Sequence, residues 1–210
     1  MTDPAYPDIP KVRAFLRDLT ANNSRGWFQA EKSRYEEDLK YPALRLLDAL
    51  APEIETIAGA PVTAKLFRPN RDVRFSKDKT PYHTHLHLLW AMPSGPGWFF
   101  GISPDYVTAG VGVMGLAKDQ LAQYRDAVAG PFGDDLAEAL NALAPRMDPP
   151  ELKRVPAPYD AGHPRAELLR RKSLAIWNDR IDGQGPLPET LTKVFTTYRP
   201  VSDWLIAALS

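Results

Sequence analysis

The 210-residue chain contains no cysteine. This absence excludes disulfide bonds, a thiolate nucleophile, iron–sulfur clusters and cysteine-ligated zinc, and it is typical of a protein in a reducing compartment. The sequence also lacks any run that approaches the roughly 18 consecutive apolar residues of a membrane-spanning helix. Residues 1–10 have neither a basic start nor an apolar run, so no signal peptide is predicted. We therefore expect a cytoplasmic protein with no membrane partner.

An excess of charge of either sign is missing as well, because 26 lysine and arginine residues balance 26 aspartate and glutamate residues. This balance argues against a dedicated nucleic-acid-binding protein, which is basic overall, although it leaves a local contact open. Hydrophobic residues make up 44% of the chain, which is ordinary globular usage and supports a core. No linker separates two self-sufficient patterns, so we expect one domain over residues 1–210.

The hydrophobic periodicity changes from helical to alternating and back again. Helical spacing predicts N-terminal helices over residues 10–20, 27–41 and 44–57. Alternation predicts strands over residues 65–68, 73–75, 84–90, 98–103 and 106–114, joined by short links. Later segments predict helices over 118–129, 134–144, 188–198 and 202–209, a strand at 174–177 and an edge strand at 152–155. Helices, then strands, then helices indicate an α+β fold in which N- and C-terminal helices pack on a central antiparallel meander.

A cationic stretch, which we call the basic segment (residues 68–82), carries the strongest functional signal. Residues 68–79 hold five cations and two anions, a net charge of +3 within a neutral chain. Arginine forks match phosphate and carboxylate oxygens in two-point geometry. We therefore predict a binding site for an anionic small molecule. Its predicted residues are Arg68, Arg71, Asp72, Arg74, Lys77, Lys79 and Tyr82.

The same cations have a structural interpretation. They can pair with Asp72, Asp78 and acids of the first helices, and this salt-bridge clamp would simply pin the loop, since charged clusters are often structural. Both interpretations stay open at the level of the sequence. No residue is assigned a catalytic role, no cofactor is predicted, and whether the protein is an enzyme is left open.

Two weaker patterns concern metals and nucleotides. His83, His85 and His87 share one face of the predicted strand, and imidazole is a common metal ligand. A site would also need a carboxylate or a fourth histidine, and the only other one is His163, so no metal is predicted. Residues 110–115 match the G-x-G-x-x-G dinucleotide pattern, but an antiparallel meander does not supply the βαβ unit that this pattern requires. Glycines that ease a twisted strand are the favoured interpretation.

Three motifs give the chain a resemblance to a known family. The first is Asn-Asn-x-x-x-Trp-Phe after a leucine, matched by Leu19, Asn22, Asn23, Trp27 and Phe28. The second, Arg-Asp-x-Arg-Phe-Ser-Lys-Asp-Lys-x-Pro-Tyr, is matched by residues 71–82, where His83 then departs from an expected lysine. The third is matched by Leu152, Lys153, Arg154, Pro156, Tyr159, His163 and Pro164. Over most of its length the chain resembles a widespread family of uncharacterised microbial proteins, a domain of unknown function.

The resemblance implies no activity, but it marks neighbours of the second motif as further site candidates. Asn22, Asn23 and Trp27 would supply hydrogen bonds and a stacking face if that motif is a binding site. Their ordinary roles are helix capping for the two asparagines and core packing for the tryptophan, and we expect these roles first.

Overall fold

A six-stranded antiparallel sheet forms the centre of the protein, and helices pack against one of its faces. The computed structural model describes residues 6–93, 95–181 and 185–210. Residues 1–5, which belong to the N-terminal stretch interpreted above, lie outside these ranges. In the described ranges, no helix has the length and apolar character needed to cross a membrane.

The N-terminal helices begin and end where capping residues predict. The carboxylate of Asp8 accepts a hydrogen bond from the Lys11 backbone N–H at 3.0 Å, and Gly59 ends the last helix in the left-handed region at φ 67°. Pro42 lies in the first turn of the last of these helices, where its missing N–H costs nothing. The gap between the predicted helices over residues 27–41 and 44–57 is therefore a change from π-helical to α-helical backbone. These elements are α1 (Ile9–Ala21), α2 (Arg25–Ala30), α3 (Lys32–Tyr35), a π-helical segment (Glu36–Lys40) and α4 (Tyr41–Ala58).

The strands lie in the order β1-β2-β3-β4-β6-β5, and each neighbouring pair is antiparallel. They are β1 (Thr63–Leu66), β2 (Leu86–Ala91), β3 (Gly97–Ile102), β4 (Val107–Val113), β5 (Arg146–Met147) and β6 (Leu174–Asn178). The C-terminal helices are α5 (Lys118–Ala129), α6 (Phe132–Leu143), α7 (Ala166–Leu169), α8 (Leu187–Thr197) and α9 (Arg199–Ala208). The prediction of an α+β fold with a central antiparallel meander is confirmed.

One face of the sheet forms the core with the helices. Leu86, Leu88 and Trp90 alternate with half-exposed neighbours along β2 and are at most 3% exposed. Full burial of a leucine side chain stabilises the fold by about 2 kcal/mol. The indole N–H of Trp90 donates to the carbonyl of Leu47 in α4 at 3.0 Å, which satisfies the one polar group of this buried ring.

Two predicted strands are wrong. Residues 73–75 lie in bends, because the Asp72 carboxylate accepts a hydrogen bond from the Arg74 backbone N–H at 3.2 Å and turns the chain locally. Residues 152–155 are irregular, since prolines before and after them lack the N–H that a ladder needs. The edge strand is instead the two-residue β5, which follows Ala144 in the left-handed region at φ 41°.

Candidate functional site

The predicted site residues lie in the connection between β1 and β2, where the basic segment prolongs this strand pair. The Arg71 backbone N–H donates to the Pro81 carbonyl at 2.9 Å, and that of His83 donates to the Pro69 carbonyl at 2.7 Å. Asn70 and Tyr82 form an isolated antiparallel bridge between these bonds. The two ends of the segment are therefore held side by side, and residues 72–80 form the loop beyond them.

The base of the segment is fixed to the N-terminal helices through Tyr82. The side chain of Asn23 donates to the Tyr82 carbonyl at 2.9 Å and accepts from the Tyr82 N–H at 3.1 Å. The Tyr82 ring stacks on Phe28 with 4.1 Å between centroids and is only 8% exposed. Asn22 has the expected capping role, since its amide donates to the Asp18 carbonyl at the end of α1. Residues of the first two family motifs thus meet at this joint.

Three of the predicted cations bond to the segment itself. Arg71 donates to the Asp78 carboxylate at 2.5 Å, and Arg74 grips Asp72 through two bonds of 2.7 and 2.9 Å. Lys79 donates to the carbonyls of Val73 and Arg74 at 3.0 and 3.4 Å, which closes the loop. Arg74 and Asp72 are 76% and 61% exposed, so water reaches their ion pair freely.

The two acids of the segment stay ionised at neutral pH. Hydrogen bonds from the Thr80 backbone and from Arg71 lower the pKa of Asp78 to about 2, and the bonds from Arg74 lower the pKa of Asp72. Their negative charges therefore offset only two of the five cations. The net charge of +3 over residues 68–79 therefore remains at neutral pH.

The remaining cations are Arg68 and Lys77, for which the described residues provide no ion-pair partner. With Lys79, which bonds to carbonyls alone, three cations of the segment form no ion pair within the described residues. Phe75 lies among them with 95% of its surface exposed, and the Arg74 guanidinium is 5.9 Å from its ring centre. Phe75 therefore adds an apolar surface to an otherwise charged loop.

Sequence reasoning missed a groove of about 740 Å³ on the sheet face that turns away from the helices. A row of paired residues crosses this face, in which Leu89, Phe99, Gly110 and Trp177 lie opposite one another and Arg146 follows on the edge strand. The signal for this groove in the sequence is the set of apolar and aromatic residues at strand positions that face away from the helices. The aromatic lining is supplied by Phe67, Phe99, Tyr106 and Trp177, with His87 among them.

A polar wall stands at one side of the groove. His87 Nε2 lies 2.7 Å from the Tyr106 hydroxyl, and His85 stacks on His87 with 3.8 Å between ring centroids. Burial, and secondarily the neighbouring imidazoles, lowers the pKa of His87 to about 4. His87 is therefore neutral at pH 7. Within the described part of the chain, no three His, Asp or Glu side chains are grouped so that they could hold a metal ion.

The opposite side carries an ion-pair group around Arg146. Its guanidinium donates to the Asp179 carboxylate at 2.5 and 3.2 Å and to Asp148 at 3.2 Å, and it lies 5.6 Å from the Trp177 ring centre. The hydrogen bond from Arg146 lowers the pKa of Asp179. Asp179 therefore remains charged at neutral pH, and two carboxylates share a single guanidinium.

Together these features define an α+β protein with helices on one sheet face, a groove on the other face and a basic loop beyond the sheet. The chain belongs to the conserved hypothetical protein family DUF2461, whose model matches residues 11–204. This family membership confirms the resemblance to an uncharacterised domain family. Comparison with curated proteins and with solved structures gave no match.

Proposed function

We propose that the basic segment recognises a phosphate- or carboxylate-bearing partner. The observation that carries this proposal is the net charge of +3 over residues 68–79 of the basic segment, where three cations have no ion-pair partner among the described residues. Guanidinium and ammonium groups that are not neutralised by their own fold attract anions and orient them. Arg68, Lys77 and Lys79 supply the free charge in this proposal.

The paired cations contribute to the same surface. Arg74 is largely accessible beside Asp72, and an incoming phosphate can compete for its N–H groups because exposed ion pairs are weak. Arg71 is only 23% exposed and is held by Asp78 and Thr80, so it adds positive charge close to the surface. Phe75 adds an apolar contact at the tip of the loop. Tyr82 has a structural role instead, because it anchors the base of the loop through its backbone and its ring.

A salt-bridge clamp without a ligand is the second candidate for the segment. The specific observation in its favour is the pair of internal bridges, Arg71 with Asp78 and Arg74 with Asp72, which tie residues within the loop to each other. In that case the segment would shape the β1–β2 connection and bind nothing.

Isothermal titration with pyrophosphate, citrate, a nucleotide and a short oligonucleotide tests the first proposal. We expect saturable binding of at least one of these anions, and affinity that falls as salt concentration rises. The triple variant Arg68→Gln, Lys77→Gln, Lys79→Gln should bind about tenfold more weakly or not at all, because it removes the entire net charge of residues 68–79.

A charge-matched control distinguishes anion binding by the basic segment from attraction of anions by the net charge of the whole protein. Lys32, Lys118 and Lys193 are exposed lysines on three different helices, and their replacement by glutamine changes the net charge by the same three units. This control should retain wild-type anion affinity. Absence of binding by all four anions, or an equal loss in both triple variants, would show that the segment is not an anion site.

A further inference from the structure

The groove on the open sheet face has the size and lining of a small-molecule site. Its volume of about 740 Å³ lies within the range of roughly 300–1,000 Å³ that is typical of ligand pockets. Four aromatic residues from four different parts of the sheet contribute to it: Phe67, Phe99, Tyr106 and Trp177. A cavity with this lining favours a flat ring that can stack on or against its aromatic walls.

The groove has two glycines beneath its rings, which we call its floor: Gly101 lines the groove itself, and Gly110 lies under the lining residue Trp177. A Cβ atom at Gly110 would lie 2.4 Å from the Trp177 ring, and one at Gly101 would lie 2.9 Å from the His87 ring. Any side chain at these positions would displace the aromatic groups beside them. The two glycines therefore allow the Trp177 and His87 rings to lie close against the neighbouring strand.

The formal charge of the described groove lining is negative. Arg146 contributes one positive charge, whereas Asp148 and Asp179 contribute two negative charges, which leaves −1. Asp179 is committed to Arg146 through two bonds, but Asp148 is 69% exposed and receives a single bond on one oxygen. Its second oxygen has no partner within the described residues and is open to a ligand donor.

A lysine near the other rim of the groove does not cancel the net negative charge of the lining. Lys65 lies with its ammonium group 4.7 Å from the centre of the Phe67 ring, at the far edge of the sheet from Arg146. Five strand spacings of about 4.8 Å separate the two edges, so Lys65 belongs to an edge strand whose backbone lies about 24 Å from that of the edge strand before Asp148. At a separation of that order, salt screens the Lys65 charge from the Asp148 carboxylate.

We propose that the groove binds a planar aromatic cation, with the ring against the aromatic lining and a positively charged N–H group of the ligand at Asp148. The aromatic faces attract cations as well as rings, and Tyr106 and His87 offer hydrogen bonds to polar atoms at the edge of the ring. This site is independent of the basic segment, whose charge is opposite and whose site residues do not line the groove.

Three dyes of equal ring number test the charge and the shape together. Proflavine is a cation, acridine is neutral at pH 7.5 and anthracene-9-carboxylate is an anion, and each fluoresces, so fluorescence polarisation measures binding directly. We expect proflavine to bind about five- to tenfold more tightly than the carboxylate, with acridine between them, since one exposed charge pair changes affinity by a small factor.

Matched variants locate the site. Tyr106 and Tyr41 are exposed to similar degrees, 37% and 45%, but Tyr106 lines the groove and Tyr41 lies on α4. Tyr106→Ala should weaken all three dyes about fivefold or more, and Tyr41→Ala should leave them unchanged. Asp148→Asn should weaken proflavine and leave acridine unaffected, whereas Asp135→Asn on α6 should change neither.

The outcomes that overturn the proposal are distinct from those for the basic segment. No saturable binding of any dye, or equal binding by wild type and Tyr106→Ala, would remove the groove as a site. Tightest binding of the carboxylate would overturn the ligand class. The triple variant of Arg68, Lys77 and Lys79 should bind proflavine as the wild type does, and a loss there would place the dye on the segment instead.

Discussion

The basic segment and the groove both adjoin β2, but they are built from different interactions. The segment is held by exposed ion pairs and by backbone bonds at its base, and its loop keeps a net positive charge. The groove is held by packed rings around two glycines, and its charged groups leave a net negative charge. The charged side chains of the basic segment therefore make few packing contacts. The groove, in contrast, is shaped mainly by apolar side chains.

The largest effect is expected from a methyl group in the groove floor. Gly110→Ala would place a Cβ atom 2.4 Å from both the Ile176 carbonyl oxygen and the Trp177 ring, and a backbone carbonyl cannot move aside. Overpacking of this kind costs about 3 kcal/mol. We expect that loss in the free energy of unfolding, measured by urea denaturation, together with a changed near-ultraviolet signal from Trp177.

Gly26→Ala is the matched control for this substitution. Gly26 lies in α2, and a Cβ atom there would meet nothing within 4 Å. Alanine favours a helix over glycine by roughly 0.5–1 kcal/mol, so this variant should be slightly more stable than the wild type. Equal stability of the two variants would show that the groove floor is not closely packed around Gly110.

The second effect is a pH dependence that arises in the groove wall. Because His87 has a pKa of about 4 in the folded protein and an ordinary value of 6.5 when unfolded, the unfolded chain binds more protons between these two values. The stabilisation is complete above pH 6.5 and is lost as the pH falls towards 4. The loss is on the order of 2–3 kcal/mol, which urea titrations at pH 7.5 and 4.5 would measure.

His87→Gln should flatten this profile, since glutamine keeps a polar contact with Tyr106 but does not titrate. His83→Gln serves as the comparison, because His83 lies further along the histidine stack and outside the groove lining. It should leave most of the pH dependence in place. A profile for His87→Gln as steep as that of the wild type would mean that another group carries the effect.

The sequence predicted those parts of the fold that depend on local periodicity. The helix predicted over residues 10–20 lies within α1, and the alternation predicted over residues 84–90 is that of β2, where Leu86, Leu88 and Trp90 are buried. Alternation failed at residues 73–75, because the side chain of Asp72 bonds to the backbone and takes that stretch out of the ladder. A pattern of residue types does not reveal this competition between side chain and strand.

The basic segment and the groove differ in how far the sequence alone reveals them. The basic segment was visible in the sequence because its cations are neighbours in the chain. The groove needs Phe99, Gly110, Trp177 and Arg146 to lie in one row across four strands, and Arg146 reaches that row only through the two-residue β5. Gly110 begins the glycine pattern of residues 110–115, but its close contact with Trp177 depends on the pairing of β4 with β6.

A smaller effect is expected at the base of the segment. Asn23→Ala removes two hydrogen bonds and leaves the N–H and carbonyl of the buried Tyr82 without these partners. Unsatisfied buried groups cost about 1–3 kcal/mol, so the free energy of unfolding should fall by that amount and amide exchange should rise in residues 70–82. Asn22→Ala, which removes one exposed capping bond, should cost a few tenths of a kcal/mol. Equal effects of the two would mean that Asn23 does not anchor the segment.

The smallest effect on stability, and the sharpest test of what the segment is for, comes from separating Arg74 from Asp72. Both side chains are largely exposed, so neither Arg74→Ala nor Asp72→Ala should change the melting temperature measurably. If the segment recognises an anion, the two variants move pyrophosphate affinity in opposite directions by about two- to fivefold, since one removes a cation and the other frees it. If the pair is a clamp, both variants lower the melting temperature alike and neither changes anion binding.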